Sequence, residues 1–79
     1  MTFNEALATR INELLKEKDM TQYRLAMNSG VVAQSIDNIR RQRNKTNAVN
    51  IVFQIAQGFG MTLKEFFDSP LFDIENITD

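Results

Sequence analysis

Apolar residues recur along this chain at the spacing of helix faces, and before Pro70 no run alternates as a half-buried strand requires. Leu7, Ile11, Leu14 and Leu15 hold the i, i+4, i+7 and i+8 positions of one face, with Lys18 next on the same line. Thr2, with Glu5 three residues on, has the form of a capping box. Lys16 and Lys18 suit the negative end of that helix. A second helix opens on Thr21 as N-cap and turns Leu25 and Ala26 inward. It stops early, because Asn28, Ser29 and Gly30 are turn residues. A third helix is predicted from Val32 or Ala33 to Arg41, with Ile36 and Ile39 inward. A fourth is predicted from Thr46 or Asn47 to Gly58, with Ile51, Val52, Ile55, Ala56 and Phe59 as its apolar face. Gly60 suits a left-handed cap. Thr62 and Glu65 make a second capping box, opening a fifth short helix with Leu63, Phe66 and Phe67. Ser69-Pro70 ends it. The fold class is therefore all-α, with five helices in residues 1–69 and a tail in residues 70–79. The tail segment LFDIENITD alternates apolar and acidic residues, which suits a frayed end, an added strand or a partner-binding arm.

Composition removes several classes of function. The chain has no Cys and no His, so it lacks a thiolate metal site, a disulfide framework and the commonest general base. Catalysis would fall to a carboxylate pair or an activated Ser, Thr or Lys. Glu13 and Glu17 share a helix face, but such pairs are ordinary on solvated helices. The expectation is a non-enzyme with no metal and no cofactor. No apolar run is long enough to span a bilayer. The start, MTFNEALATR, has no basic segment followed by an apolar block, so the expected location is the cytoplasm.

The formal net charge of −1 hides a segregation. From Arg10 to Lys45 there are eight basic and four acidic residues, a balance of +4. From Thr46 to Asp79 one basic residue stands against five acidic ones, a balance of −4. One face for a polyanion and another turned away from it would produce this pattern, as would a mixed surface with an acidic tail.

The segment from Gln22 to Ile39 decides between those readings. Ala26 is small where two helices must approach, and Gly30 stands where the chain must reverse. Val31 follows as a plug into the core, and Ile36 and Ile39 anchor the next helix. This is the layout of a helix-turn-helix, whose second helix is free to enter a DNA major groove. With Ile36 and Ile39 inward, the outer face carries Ala33, Gln34, Asp37, Asn38 and Arg41. Gln and Asn can bond adenine through N6 and N7, and an alanine methyl can touch thymine. Arg41, Arg43 and Lys45 follow where a phosphate would lie. Each feature alone has a plainer reading. Gly30 suits an ordinary helix C-cap, Gln34 and Asn38 suit a solvated face, and Arg40, Arg41 and Arg43 suit a helix dipole.

Gln22, Leu25-Ala26, Gly30-Val31, Ser35-Ile36 and Ile39 resemble the Cro/phage-repressor class of helix-turn-helix proteins, also called the Xre family. The segment VFQIAQGFGMTLKEFF resembles that family's fourth and fifth helices, and the likeness spans about residues 5 to 68. The resemblance implies a five-helix, lambda-repressor-like fold and a transcription regulator. The expected partner is double-stranded DNA, bound by a homodimer on a palindromic operator. It places Ala33, Gln34 and Asn38 at base-contacting positions. Gln22 and Ser35 become phosphate contacts, with Gln22 also propping a recognition-helix side chain. The loop carrying Arg41, Arg43 and Lys45 becomes a backbone-binding loop.

Two departures stand out. Val32 replaces the usual Ser or Thr N-cap of the recognition helix. Arg40 stands where many members have an acidic partner for the first-helix arginine, here Arg10, so Glu13 or Asp37 is the expected substitute. Phe66, Phe67, Leu71 and Phe72 exceed what one short helix end can hide, which predicts an exposed apolar patch and a homodimer contact. The same fold also serves antitoxins, so a protein partner gripped by the tail is the alternative function.

Overall fold

The computed structural model describes residues 1–79. Five α-helices follow one another: α1 Phe3–Glu17, α2 Gln22–Ser29, α3 Ala33–Arg40, α4 Val49–Gly58 and α5 Leu63–Phe67. Two 3-10 turns, Pro70–Phe72 and Ile74–Asn76, complete the chain. There are no strands.

The predicted caps form. Thr2 and Glu5 close a capping box on α1, and Thr62 and Glu65 close another on α5. Thr21 accepts the Arg24 N–H at the start of α2. Three helices end on one device, in which a left-handed residue and the residue after it each return an N–H to the last turn. Asp19, Gln42 and Gly60 are the left-handed residues, after α1, α3 and α4. After α3, for example, Gln42 N–H reaches Ile39 O at 3.1 Å and Arg43 N–H reaches Asn38 O at 2.8 Å.

The apolar stripes converge on one core. Leu7, Ile11, Leu14 and Leu15 of α1 meet Leu25, Val31, Ile36 and Ile39 of the α2–α3 pair. Val52, Ile55, Ala56 and Phe59 of α4 close it, and Phe66 of α5 plugs one end. No polar side chain is buried within it. Helices α2 and α4 approach so closely that a Cβ built on Gly58 would stand 2.7 Å from Ser29 Cβ.

Three expectations are corrected. Helix α4 begins at Val49, after an Ala48 N-cap that makes no side-chain bond, and not at Thr46 or Asn47. The Asn47 side chain is spent elsewhere: its Nδ2 donates to Asn4 Oδ1 at 2.9 Å, and its Oδ1 accepts from Asn44 at 3.1 Å. Asn4 Nδ2 in turn donates to the Asn44 and Lys45 carbonyls, fastening the α3–α4 loop to the start of α1.

Second, Arg10 and Arg40 do not face one another, and neither Glu13 nor Asp37 takes up Arg10. Arg10 donates to the Phe66 and Glu65 carbonyls at 2.7 and 3.0 Å, closing the end of α5. Third, the late aromatic residues do not form an exposed patch. Phe66 is fully buried, and Phe67, Leu71 and Phe72 are half-buried. Phe72 meets Phe67 edge-on at 4.8 Å between centroids, and Phe3 comes across from α1 to 6.0 Å from Phe72. The tail then closes on the N-terminus, with Thr78 N–H on Met1 O and the Met1 ammonium on Asn76 O, both at 2.9 Å.

Candidate nucleic-acid interface

The turn between α2 and α3 is built as its residues suggest. Gly30 has φ +76° and returns its N–H to Ala26 O at 3.0 Å. A side chain would resist that conformation. Val31 drops into the core, 5% exposed, and its N–H donates to Ser29 Oγ at 3.1 Å. Ile36 and Ile39 then seat α3. The helix-turn-helix is therefore present, and α3 projects an outer face. Gln34 and Arg41 are exposed on it, and Ala33, Ser35, Asp37 and Asn38 are half-exposed.

Those side chains are joined into one network. Gln34 Nε2 donates to Asn38 Oδ1 at 3.0 Å, and Arg43 Nη1 donates to the same oxygen at 3.3 Å. Arg43 Nη1 also reaches Asp37 Oδ2 at 2.9 Å, and Arg41 Nε reaches Asp37 Oδ1 at 3.0 Å. The Arg41 hydrogen bond, followed by the Arg43 contact, holds the Asp37 carboxyl below its ordinary 3.8. Asn38 thus spends both lone pairs of its oxygen inside the protein. Gln34 keeps its own oxygen and one N–H free, which is the pair an adenine edge requires. In this arrangement Gln34 is presented outward and Asn38 braces it.

Gln22 lies behind the recognition helix and touches it at both ends. Its Nε2 donates to Ala33 O at 3.4 Å, and its Oε1 accepts from Arg40 Nη1 at 2.8 Å. Arg40 Nε also donates to Asn12 Oδ1 at 2.6 Å, so one guanidinium ties α1, α2 and α3 together. The contact runs to the backbone of Ala33 and the side chain of Arg40, and not to Gln34. Lys45 is exposed on the loop that Asn4 fastens.

Three residues that the sequence placed at or beside this face without a DNA-contacting role take a part in it. Asp37 gathers two arginines. Arg40 is a brace. Val32, 67% exposed at the N-cap of α3, offers the kind of apolar surface that a thymine methyl contacts. The Asp37–Arg41 spacing of four was visible as a helix pair. The other two roles depend on contacts between helices.

Backbone electrostatics add to the picture. Helices α1, α2 and α5 carry side-chain caps, whereas α3 and α4 start on Val32 and Ala48 with none. The first N–H groups of α3 therefore keep their unneutralised positive end, the complement of an anion.

Fold and face together define a five-helix domain of the helix-turn-helix type, and the resemblance to the Cro/phage-repressor class is met by the structure. Solved structures of the restriction-modification controller protein C.Esp1396I are similar to it. The wild-type protein matches with a TM-score of 0.76 at 25% identity, over 86% of this chain and 88% of that one. One mutant of that protein matches with a TM-score of 0.75 at 26% identity, over 86% of this chain and 91% of the other. A second mutant gives 0.75 at 25% identity, over 82% and 83%. No protein-family model matches the chain, and no curated protein matches it in sequence. No helix is long and apolar enough to cross a membrane.

Proposed function

We propose that this protein is a sequence-specific DNA-binding regulator of transcription, acting in the cytoplasm as a homodimeric repressor on a palindromic operator. The observation that carries the reading is the outer face of α3. It is held out by the Gly30 turn, with Gln34 braced by Asn38 and arginines at its far end. Ala33 and Gln34 meet base edges, and Arg41, Arg43, Lys45, Gln22 and Ser35 lie towards the phosphates. The likeness to a restriction-modification controller protein supports the regulator reading. Val49 and Phe53, four residues apart on α4 and 69% and 44% exposed, are apolar surface that a second copy can cover. Two recognition helices in a dimer would read half-sites about 34 Å apart.

A protein-binding or antitoxin role for residues 70–79 has one observation in its favour. Ile74 is 90% exposed on a tail otherwise tied to the N-terminus.

The test is selection from a random duplex library at two salt concentrations, followed by binding to the selected site. An enriched palindrome is expected. Gln34→Ala should then cost about 1 to 3 kcal/mol on that site and relax selection at one position per half-site. Equal losses on selected and random DNA would remove Gln34 from base reading. Salt-steep binding without enrichment would refute the regulator and turn attention to Ile74.

A further inference from the structure

The outer face of α3 carries one carboxylate, and it lies where a polyanion is expected. Asp37 is no ordinary member of a solvated face. Each of its oxygens takes a different arginine, Arg41 at 3.0 Å and Arg43 at 2.9 Å. The carboxylate side chain is 24% exposed and the two arginines 65% and 49%, so the cations close over it from the solvent side. Helix geometry accounts for Arg41, four residues on, but not for Arg43, six residues on. Arg43 returns over the face only because Gln42 takes φ +56° and turns the chain back, with Arg43 N–H on Asn38 O. The same Arg43 nitrogen reaches Asn38, which holds Gln34. The phosphate-seeking and base-seeking groups are thus wired together through Asp37 and Asn38.

We propose that Asp37 is a specificity-determining residue, accepting a hydrogen bond from the N4 amino group of a cytosine and thereby releasing Arg41 and Arg43 to the phosphates. The inference rests on the DNA-reading role of α3. A carboxylate suits the cytosine amino group among base edges. Where that cytosine is present, Asp37 exchanges its arginines for a base donor, and both cations become free for the backbone. Where it is absent, the arginines stay paired, or they leave an unpartnered anion against the phosphates. Parting the two ion pairs costs on any DNA, and the cytosine donor and the released arginines offset that cost on the correct site alone, so random DNA is penalised by the difference. The Asp37 carboxyl is ionised at neutral pH as any free aspartate is, and the Arg41 hydrogen bond, followed by the Arg43 contact, lowers it further.

The test compares the full chain with Asp37→Asn and Asp37→Glu in two measurements, with melting temperatures confirming that all three fold. The first is selection from a random duplex library. The wild type should enrich sites with cytosine at one position of each half-site, and Asp37→Asn should lose selection at that position alone. The second is elution from immobilised heparin, a polyanion without bases. Asp37→Asn should elute at higher salt and bind random duplex about fivefold more tightly, since one unit charge about 4 Å from one phosphate is worth about that much in water. Asp37→Glu should elute with the wild type.

Unchanged base preferences in Asp37→Asn overturn the cytosine contact while leaving the regulator reading intact. An unchanged heparin elution overturns the hold on the arginines whether or not the protein reads sequence. A library enriched by neither protein overturns the regulator reading and the base contact together.

Discussion

Replacing Gly58 by alanine should destabilise the fold, although alanine is the better helix former. Gly58 is the last residue of α4 and is buried where α2 crosses it. A Cβ there would meet Ser29 Cβ at 2.7 Å, Leu25 Cδ1 at 3.0 Å and Ser29 Cα at 3.1 Å. Two of those three atoms sit on or beside the α2 backbone, so relief requires the helices to separate. Overpacking of this kind costs about 1 to 3 kcal/mol. The gain in helix propensity returns up to about 1 kcal/mol. The net expectation is a loss of up to about 2 kcal/mol and centred near 1 kcal/mol, or roughly 4 to 8 °C in melting temperature at that centre for a domain of this size. A double-mutant cycle with Ser29→Gly isolates the cause, because that change removes the nearest atom. Thermal and urea melts of the four proteins should show a favourable coupling of about 1 kcal/mol between the two substitutions. A Gly58→Ala protein as stable as the wild type, or a cycle with no coupling, would refute the argument that α2 and α4 meet at this distance.

Three further outcomes follow from the same geometry. Gln42→Gly should stabilise the protein by about 1 kcal/mol, since φ +56° burdens a residue with a side chain; an unchanged or lower melting temperature would count against the left-handed turn. Phe72→Ala should cost about 2 to 3 kcal/mol by emptying the space among Phe3, Phe66 and Phe67, and should speed amide exchange at Thr78; exchange at the wild-type rate would mean the tail does not depend on that cluster. Glu5 and Glu65 are held below their ordinary 4.5 chiefly by the backbone N–H groups of Thr2 and Thr62. A depressed carboxylate stabilises fully above its unfolded value and loses that contribution as pH falls through the folded one. Melting temperature should therefore decline below about pH 4.5, and the double variant Glu5→Gln, Glu65→Gln should decline less steeply; parallel profiles would argue against the boxes.

The helices and their caps were legible because their signals are local. Thr2 with Glu5, Thr21, and Thr62 with Glu65 each satisfy N–H groups within one turn of themselves. The start of α4 was misread for the complementary reason. Thr46 and Asn47 have the chemistry of caps, but Asn47 is claimed by Asn4, distant in the chain and adjacent in space. Arg10 and Arg40 show the same thing at a charged position. The family pattern sets Arg40 where a carboxylate partner of Arg10 would stand, with Glu13 or Asp37 as the expected substitute, yet each arginine finds other acceptors, Arg10 at the end of α5 and Arg40 at Asn12 and Gln22. On the outer face of α3, the residue types were readable and their wiring was not. Nothing in the order Gln34, Asp37, Asn38, Arg41, Arg43 states that Asn38 braces Gln34 or that Arg43 turns back onto Asp37.

Periodicity, caps and turn residues are interactions over three to five positions, and chain connectivity alone enforces them. They were sufficient for five helices, for a reversal at Gly30 and for the inward residues Leu25, Val31, Ile36 and Ile39. A polar side chain is different, since it has several partners of similar worth and takes whichever the packed fold brings within 3 Å or so. The Asn4 clasp, the close approach at Gly58, the folded tail and the Asp37 clamp all arise that way, after the apolar stripes have set which helices are neighbours.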